Sequence, residues 1–268
     1  MNVPTLFRAF VLALVFFAPA RAEDLRKRVG LDQLLGAQLP ADALLKDESG
    51  ADVRVGRFFG PRPLILTFVY FDCPMLCNEV TNAELRTLRA LNLKLGQDYD
   101  VLTISIDPED TPEKARARKA RYLNRYDLPG ADVGWHVLTG GAEASRRLAE
   151  SVGFRYTYNK ETRQFTHAAG LMVLTPDGKV ARYFYGLSYP PRDVRLALTE
   201  ASEGKLGSLT DQMLLFCYQY DPSTGRYTLA ILNLVRVACV ATVLALAAFI
   251  WKATRRDRPR AGPDPAFT

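Results

Sequence analysis

The stretch with the greatest chemical capacity is Cys73-Pro74-Met75-Leu76-Cys77. Two cysteines four apart share one face once the segment turns helical, so their sulfurs can converge. A helix N-terminus favours thiolate over thiol. Pro74 is tolerated in a first turn, where its missing donor costs little. The expectation is a pair of easily ionised soft ligands near the surface. Three chemistries fit the pair. A structural disulfide would close so short a loop that it removes little chain entropy. A redox dithiol usually has two intervening residues, and here there are three. A soft-metal site is the third: two thiolates suit Cu(I) and, with an imidazole, also Cu(II). Zinc is a further option, but structural zinc normally takes four ligands and no second cysteine pair lies nearby.

The chain has two histidines to complete such a site. His136 lies in Trp135-His136-Val137-Leu138, inside a short strand, and reads as a packed or edge residue. His167 lies in Gln164-Phe165-Thr166-His167-Ala168-Ala169-Gly170, in a loop with small neighbours before a hairpin strand. It is free to meet a ligand, although a lone loop histidine is ordinarily just solvated.

The elements that position these groups alternate between strand and helix. Asp52–Val55 reads as a short strand. Pro63–Phe71 is an almost continuous apolar run that suits a central strand buried on both faces. Cys77–Leu93 has helical spacing. Asp100–Ile106 is a second central strand, and Thr111-Pro112-Glu113 opens a helix with Thr at the N-cap and Pro at N1. Trp135–Leu138 is a strand and Ala142–Val152 a helix. Gly170–Thr175 and Val180–Tyr185 form a hairpin across Pro176-Asp177-Gly178, and Asp193–Glu203 is a final helix. This order predicts an α/β domain with a mixed central sheet flanked by helices. The cysteines fall at the carboxyl end of its first central strand, where α/β sheets commonly place their chemistry.

The composition leaves room for one mid-sized core and a membrane segment: 268 residues, 48% apolar and 24% charged. The net charge of +6 is concentrated at the ends, leaving about +1 on the body between residues 23 and 251, a poor partner for nucleic acid. Residues 1–22 read as a signal peptide: Arg8, an apolar stretch, then Ala20-Arg21-Ala22. Residues 229–251 form an apolar segment about 35 Å long as a helix, holding Asn233 and Arg236 in its first third. The basic cluster Arg255–Arg260 places the tail 252–268 in the cytoplasm by the positive-inside rule. The predicted organisation is a leader (1–22), an exported domain (23–207), a juxtamembrane segment (208–228), one transmembrane helix (229–251) and a basic cytoplasmic tail (252–268). The main domain would face the periplasm from a bacterial inner membrane.

Three motifs in order then carry a family resemblance. They are Tyr70-Phe71-Asp72-Cys73-Pro74-Met75-Leu76-Cys77, Ser105-Ile106-Asp107-Pro108-Glu109-Asp110-Thr111-Pro112, and His167 ahead of Leu174-Thr175-Pro176-Asp177-Gly178. Together they resemble the Sco/SenC family of copper proteins, over about Leu39 to Glu203. The resemblance implies a thioredoxin-like fold and one copper ion, Cu(I) or Cu(II), held by Cys73, Cys77 and His167. It also implies delivery of copper to the dinuclear centre of cytochrome c oxidase subunit II, or reduction of that centre's cysteines. Family members are usually anchored by an N-terminal helix, whereas this chain carries its long apolar segment near the C-terminus.

Four further residues bear on the site. Asp72 is the carboxylate nearest the cysteines, and Met75 offers a thioether. Cys217, in Leu214-Leu215-Phe216-Cys217-Tyr218, reads either as an inert thiol or as an extra redox or copper group. Cys239 reads as passive packing. The rival function is a thiol–disulfide oxidoreductase using Cys73 and Cys77 without metal. A peroxidase is weaker, because no basic partner for Cys73 is evident, and a purely structural role gives no reason for the paired cysteines.

Overall fold

The computed structural model describes residues 28–73, 76–206, 220–221, 226–227 and 229–256. The predicted leader, Met75, Cys217, nearly all of the juxtamembrane segment and the tail beyond Arg256 lie outside these residues. The chain divides into two compact units, Met1–Met213 and Leu214–Thr268.

The first unit is built on a five-stranded mixed sheet. Its central strand β4 (Leu64–Val69) is buried at every position, as its unbroken apolar run requires. β5 (Asp100–Ser105) pairs with it in parallel, and β6 (Trp135–Leu138) pairs in parallel with β5. On the other side β9 (Gly170–Leu174) runs antiparallel to β4, and β10 (Val180–Tyr185) closes that edge. The strand order is therefore β10-β9-β4-β5-β6. Four helices connect or flank these strands: α1 (Leu76–Ala90), α2 (Pro112–Tyr126), α4 (Ala142–Ser151) and α5 (Pro191–Ser202), with a single turn, α3 (Ala131–Gly134), before β6. This is the mixed α/β sheet that the element order predicts, in the thioredoxin-like architecture that the resemblance implies.

Local signals account for several of these boundaries. The Thr111 side chain accepts from the Lys114 N–H, and Pro112 opens α2. The helix stops at Asp127, which adopts a left-handed conformation with φ of 38°. Phe68, Leu102 and Ile104 fill the space beneath the helices with exposures of 1% or less.

Two small sheets extend this framework. β2 (Leu44–Lys46) and β3 (Asp52–Arg54) form a hairpin whose Lys46 bridges to Thr139 at the end of β6. β1 (Gly30–Leu31), β7 (Phe154–Asn159) and β8 (Gln164–His167) form a three-stranded antiparallel sheet. The sequence reading has no strand over β7 or β8 and leaves His167 in a loop; the structure corrects this, making His167 the last residue of β8. The pattern FRYTYN is aromatic and polar in alternation but only half-buried, so it lacks the apolar run that marks the main strands.

In the second unit, β11 (Tyr220–Asp221) pairs with β12 (Arg226–Tyr227), and α6 runs over Leu229–Arg256. Among the described residues no helix is long and apolar enough to cross a membrane.

Candidate metal centre

Cys73 follows the end of β4, and Cys77 sits in the first turn of α1. Both are reduced thiols. The four-residue spacing sets Cys73 Sγ against the first turn of α1, where the Cys77 N–H donates to it at 3.2 Å. The predicted surface location is corrected, since Cys73 is 7% exposed and Cys77 fully buried. Both cysteines belong to the buried core, and the Cys77 sulfur is covered by His167 of β8.

His167 reaches the same point from β8. Its Nε2 lies 2.9 Å from Cys77 Sγ. Its Nδ1 lies 2.8 Å from the Ala168 carbonyl oxygen. A carbonyl only accepts, so Nδ1 carries the proton and Nε2 keeps a lone pair aimed at the sulfur. The imidazole is thus oriented as metal-ligating histidines are, with the remote nitrogen held by a backbone acceptor. Tyr70 and Phe154 confine the ring, with centroids 6.0 and 5.9 Å from it.

The electrostatics of Cys77 depart from the sequence expectation of an easily ionised thiol. Its hydrogen bond with Cys73, then burial, push its pKa well above the usual thiol range. The Tyr70 backbone and the Arg118 charge act in the opposite direction and are outweighed. The helix N-terminus therefore does not decide the ionisation; two sulfurs competing in a buried space do. Tyr70 is raised as well, by burial first and then by its hydrogen bond to Cys73.

The loop carrying Cys73 is tied down from behind. The Phe71 N–H donates to Asp110 Oδ2 at 2.9 Å, and the Ser105 hydroxyl donates to the same oxygen at 2.6 Å. Arg118 donates to the Phe71 carbonyl at 2.8 Å and to Asn78 Oδ1 at 3.1 Å. Asn78 in turn donates to the Cys73 carbonyl at 3.4 Å. Tyr70, Asn78, Asp110 and Arg118 are all missed as site residues by the sequence reading. Arg118 lies in Glu113-Lys114-Ala115-Arg116-Ala117-Arg118-Lys119, which reads as a solvated basic face, and nothing local marks one of its cations as buried.

The other residues weighed beside the site lie apart from it, and His136 is packed, as its sequence context predicts. Asp72 is exposed and salt-bridged to Lys114 at 2.6 Å. His136 packs its ring on Phe58, with centroids 4.6 Å apart, and burial lowers its pKa. Cys239 is exposed on α6.

Among the described residues, no three of His, Cys, Asp and Glu stand arranged to hold a metal ion. Donors at about 2.0 and 2.3 Å from one ion sit roughly 3.5 Å apart. The 2.9 Å contact is instead a direct thiol-to-imidazole hydrogen bond. The donor set has the chemistry a soft ion needs, and its members close on one another.

Comparison with known proteins decides the family. The SCO1/SenC family profile matches residues 36–201. This chain belongs to the SCO1/SenC family. The SCO1/SenC match takes in both cysteines, Asp110, Arg118 and His167. A SCO1 protein homolog of Bacillus subtilis (strain 168) is 25% identical over 129 residues, 47% of this chain and 63% of that relative, so the match spans under two thirds of the relative's length. A proposed electron transfer protein of Aquifex aeolicus VF5 has a crystal structure with 28% identity and a TM-score of 0.55, covering 64% of this chain and 96% of that one. ScoI of Arabidopsis thaliana, solved with copper bound, shares 17% identity over 62% of this chain and 99% of its own, with a TM-score of 0.47.

Proposed function

We propose that the first unit binds one copper ion through Cys73, Cys77 and His167 and delivers it to a copper centre of a respiratory oxidase, that of cytochrome c oxidase subunit II. Membership of the SCO1/SenC family supports this. The observation that carries it is the contact between Cys77 Sγ and His167 Nε2, with the imidazole lone pair facing the sulfur. Two soft sulfurs and one nitrogen suit Cu(I), and the nitrogen also serves Cu(II). Each thiol loses its proton as it ligates, and the ion's charge removes the penalty that burial places on the thiolate. A site with few ligands leaves the ion exchangeable, as delivery requires.

The test is copper titration of the purified chain with Cys217 and Cys239 replaced by serine. One equivalent of Cu(I) should bind, and Cu(II) should give a thiolate charge-transfer band. Stoichiometric binding that survives Cys73→Ser combined with Cys77→Ser would refute the site.

A second reading is a thiol–disulfide oxidoreductase that keeps the recipient's cysteines reduced. It is favoured by the hydrogen bond between the two thiols, which puts the sulfurs in reach of each other. Loss of His167 separates the two: a reductase tolerates it and a copper carrier does not.

We further infer that residues 1–22 are a leader, that 23–207 form the exported domain, and that 229–251 anchor it in the bacterial inner membrane with 252–268 in the cytoplasm. α6 supports the anchor: it is continuous over Leu229–Arg256 and exposes Val240, Val243, Leu244, Leu246 and Phe249. Recovery of the chain in the soluble fraction after cell lysis would overturn the anchor.

A further inference from the structure

Arg118 is nine-tenths buried, with 9% of its surface exposed. A buried guanidinium is costly unless an opposite charge compensates it. Its partners here are all neutral: the Phe71 carbonyl at 2.8 Å, Asn78 Oδ1 at 3.1 Å and the Tyr122 hydroxyl at 3.5 Å. The rings of Phe71 and Tyr122 each lie 5.5 Å from its charge. Among the described residues it has no ion pair. The acids around it are taken by other cations: Lys114 holds Asp72 at 2.6 Å and Asp110 at 3.6 Å, and Lys119 holds Glu48.

This cation stands directly behind the cysteine loop. Two of its three neutral acceptors are the carbonyl two residues before Cys73 and the side chain that donates to the Cys73 carbonyl. The charge it lacks is the one the site acquires on loading. When Cu(I) binds, two thiols release two protons to solvent, and one positive ion joins two negative sulfurs. The loaded site then carries one net negative charge. With Cu(II) the same count gives zero.

We propose that Arg118 is the charge-compensating positioning residue of this site, matching the single negative charge of a Cu(I) ion held by two thiolates while fixing the loop that carries Cys73. The inference rests on the copper reading above and adds to it a preference between oxidation states. Arg118 stabilises the Cu(I) form over the Cu(II) form, because only the former presents an unbalanced charge. Its burial keeps that interaction from being screened by salt.

The test compares wild type, Arg118→Met, Arg118→Gln, Arg118→Lys and Asn78→Ala in the full chain, all with Cys217 and Cys239 replaced by serine. Each is titrated with Cu(I) against a colorimetric chelator and separately with Cu(II). Arg118→Met and Arg118→Gln should lose about tenfold or more in Cu(I) affinity, and less than about threefold in Cu(II) affinity. Arg118→Lys keeps the charge but not the fork, so it should retain the wild-type ratio of the two affinities. Asn78→Ala loosens the loop without touching charge and should weaken both ions alike.

Equal losses for both ions in the neutral variants, or no loss, would overturn the inference while leaving the copper site standing. If neither neutral variant folds, a changed affinity ratio in Arg118→Lys would overturn it and an unchanged ratio would support it. Failure of the wild-type chain to take up copper would overturn the proposed function and this inference together.

Discussion

Cys77 Sγ and His167 Nε2 are 2.9 Å apart across ninety residues of sequence. The contact joins the first turn of α1 to the end of β8, and the Nδ1–H donated to Ala168 sets which nitrogen faces the sulfur. Replacing His167 by Ala should therefore weaken Cu(II) binding more than Cu(I) binding, because the softer ion depends less on nitrogen. Parallel titrations of the variant with both ions check this. An equal loss would mean the imidazole acts through packing between Tyr70 and Phe154, not as a donor.

Asp110 holds the other side of the site. Its side chain is buried and its Oδ2 accepts from both the Phe71 N–H and the Ser105 hydroxyl. Asp110→Ala orphans these two donors and should cost about 2–4 kcal/mol of stability. Asp110→Asn can keep one of the acceptor contacts and should cost less. Denaturant unfolding of both variants gives the comparison, and an Asp110→Ala midpoint equal to wild type would rule out the clamp.

Glu84 is a buried carboxyl on α1, with Thr67 donating to its Oε2 at 3.5 Å and its Oε1 unpartnered among the described residues. Burial pushes its pKa from the ordinary 4.5 up to about 8, and the Thr67 hydrogen bond only partly opposes this. Between these two values the native state keeps a proton that the unfolded chain has lost. Stability should therefore fall as pH rises through that window and level off above it. Glu84→Gln should flatten this dependence. Urea midpoints of the α/β unit at about pH 5, 6.5 and 8 measure it, and a slope unchanged by the substitution would exclude Glu84 as its source.

Gly170 opens β9, three residues after His167. A Cβ there would lie 2.7 Å from the Phe184 carbonyl oxygen and 2.8 Å from Leu31 Cδ2. The first contact is with backbone of the paired strand, so the sheet edge must move. Gly170→Ala should destabilise by about 1–3 kcal/mol and shift the segment that carries the imidazole. Thermal unfolding reads the first effect, and the Cu(II) charge-transfer band reads the second.

What the chain alone determined is local. The apolar run of β4, the Thr111-Pro112 cap of α2 and the four-residue cysteine spacing are each legible in a short stretch of chain, and each element formed within a few residues of its expected bounds. His167 could be singled out only through the family resemblance, because a histidine beside two alanines carries no mark of its own. Closure of the fold decided the rest. The β7–β8 hairpin, which aims His167 at Cys77, alternates aromatic and polar residues, but its half-buried pattern lacks the apolar run that marks the main strands. Arg118 looks in sequence like any other cation of a basic helix, and only packing against Phe71 and Tyr122 takes it out of water. Helix caps are fixed by bonds among adjacent residues and central strands are marked by their own apolar runs, whereas burial, charge balance and thiol ionisation depend on which distant groups share the same low-dielectric space.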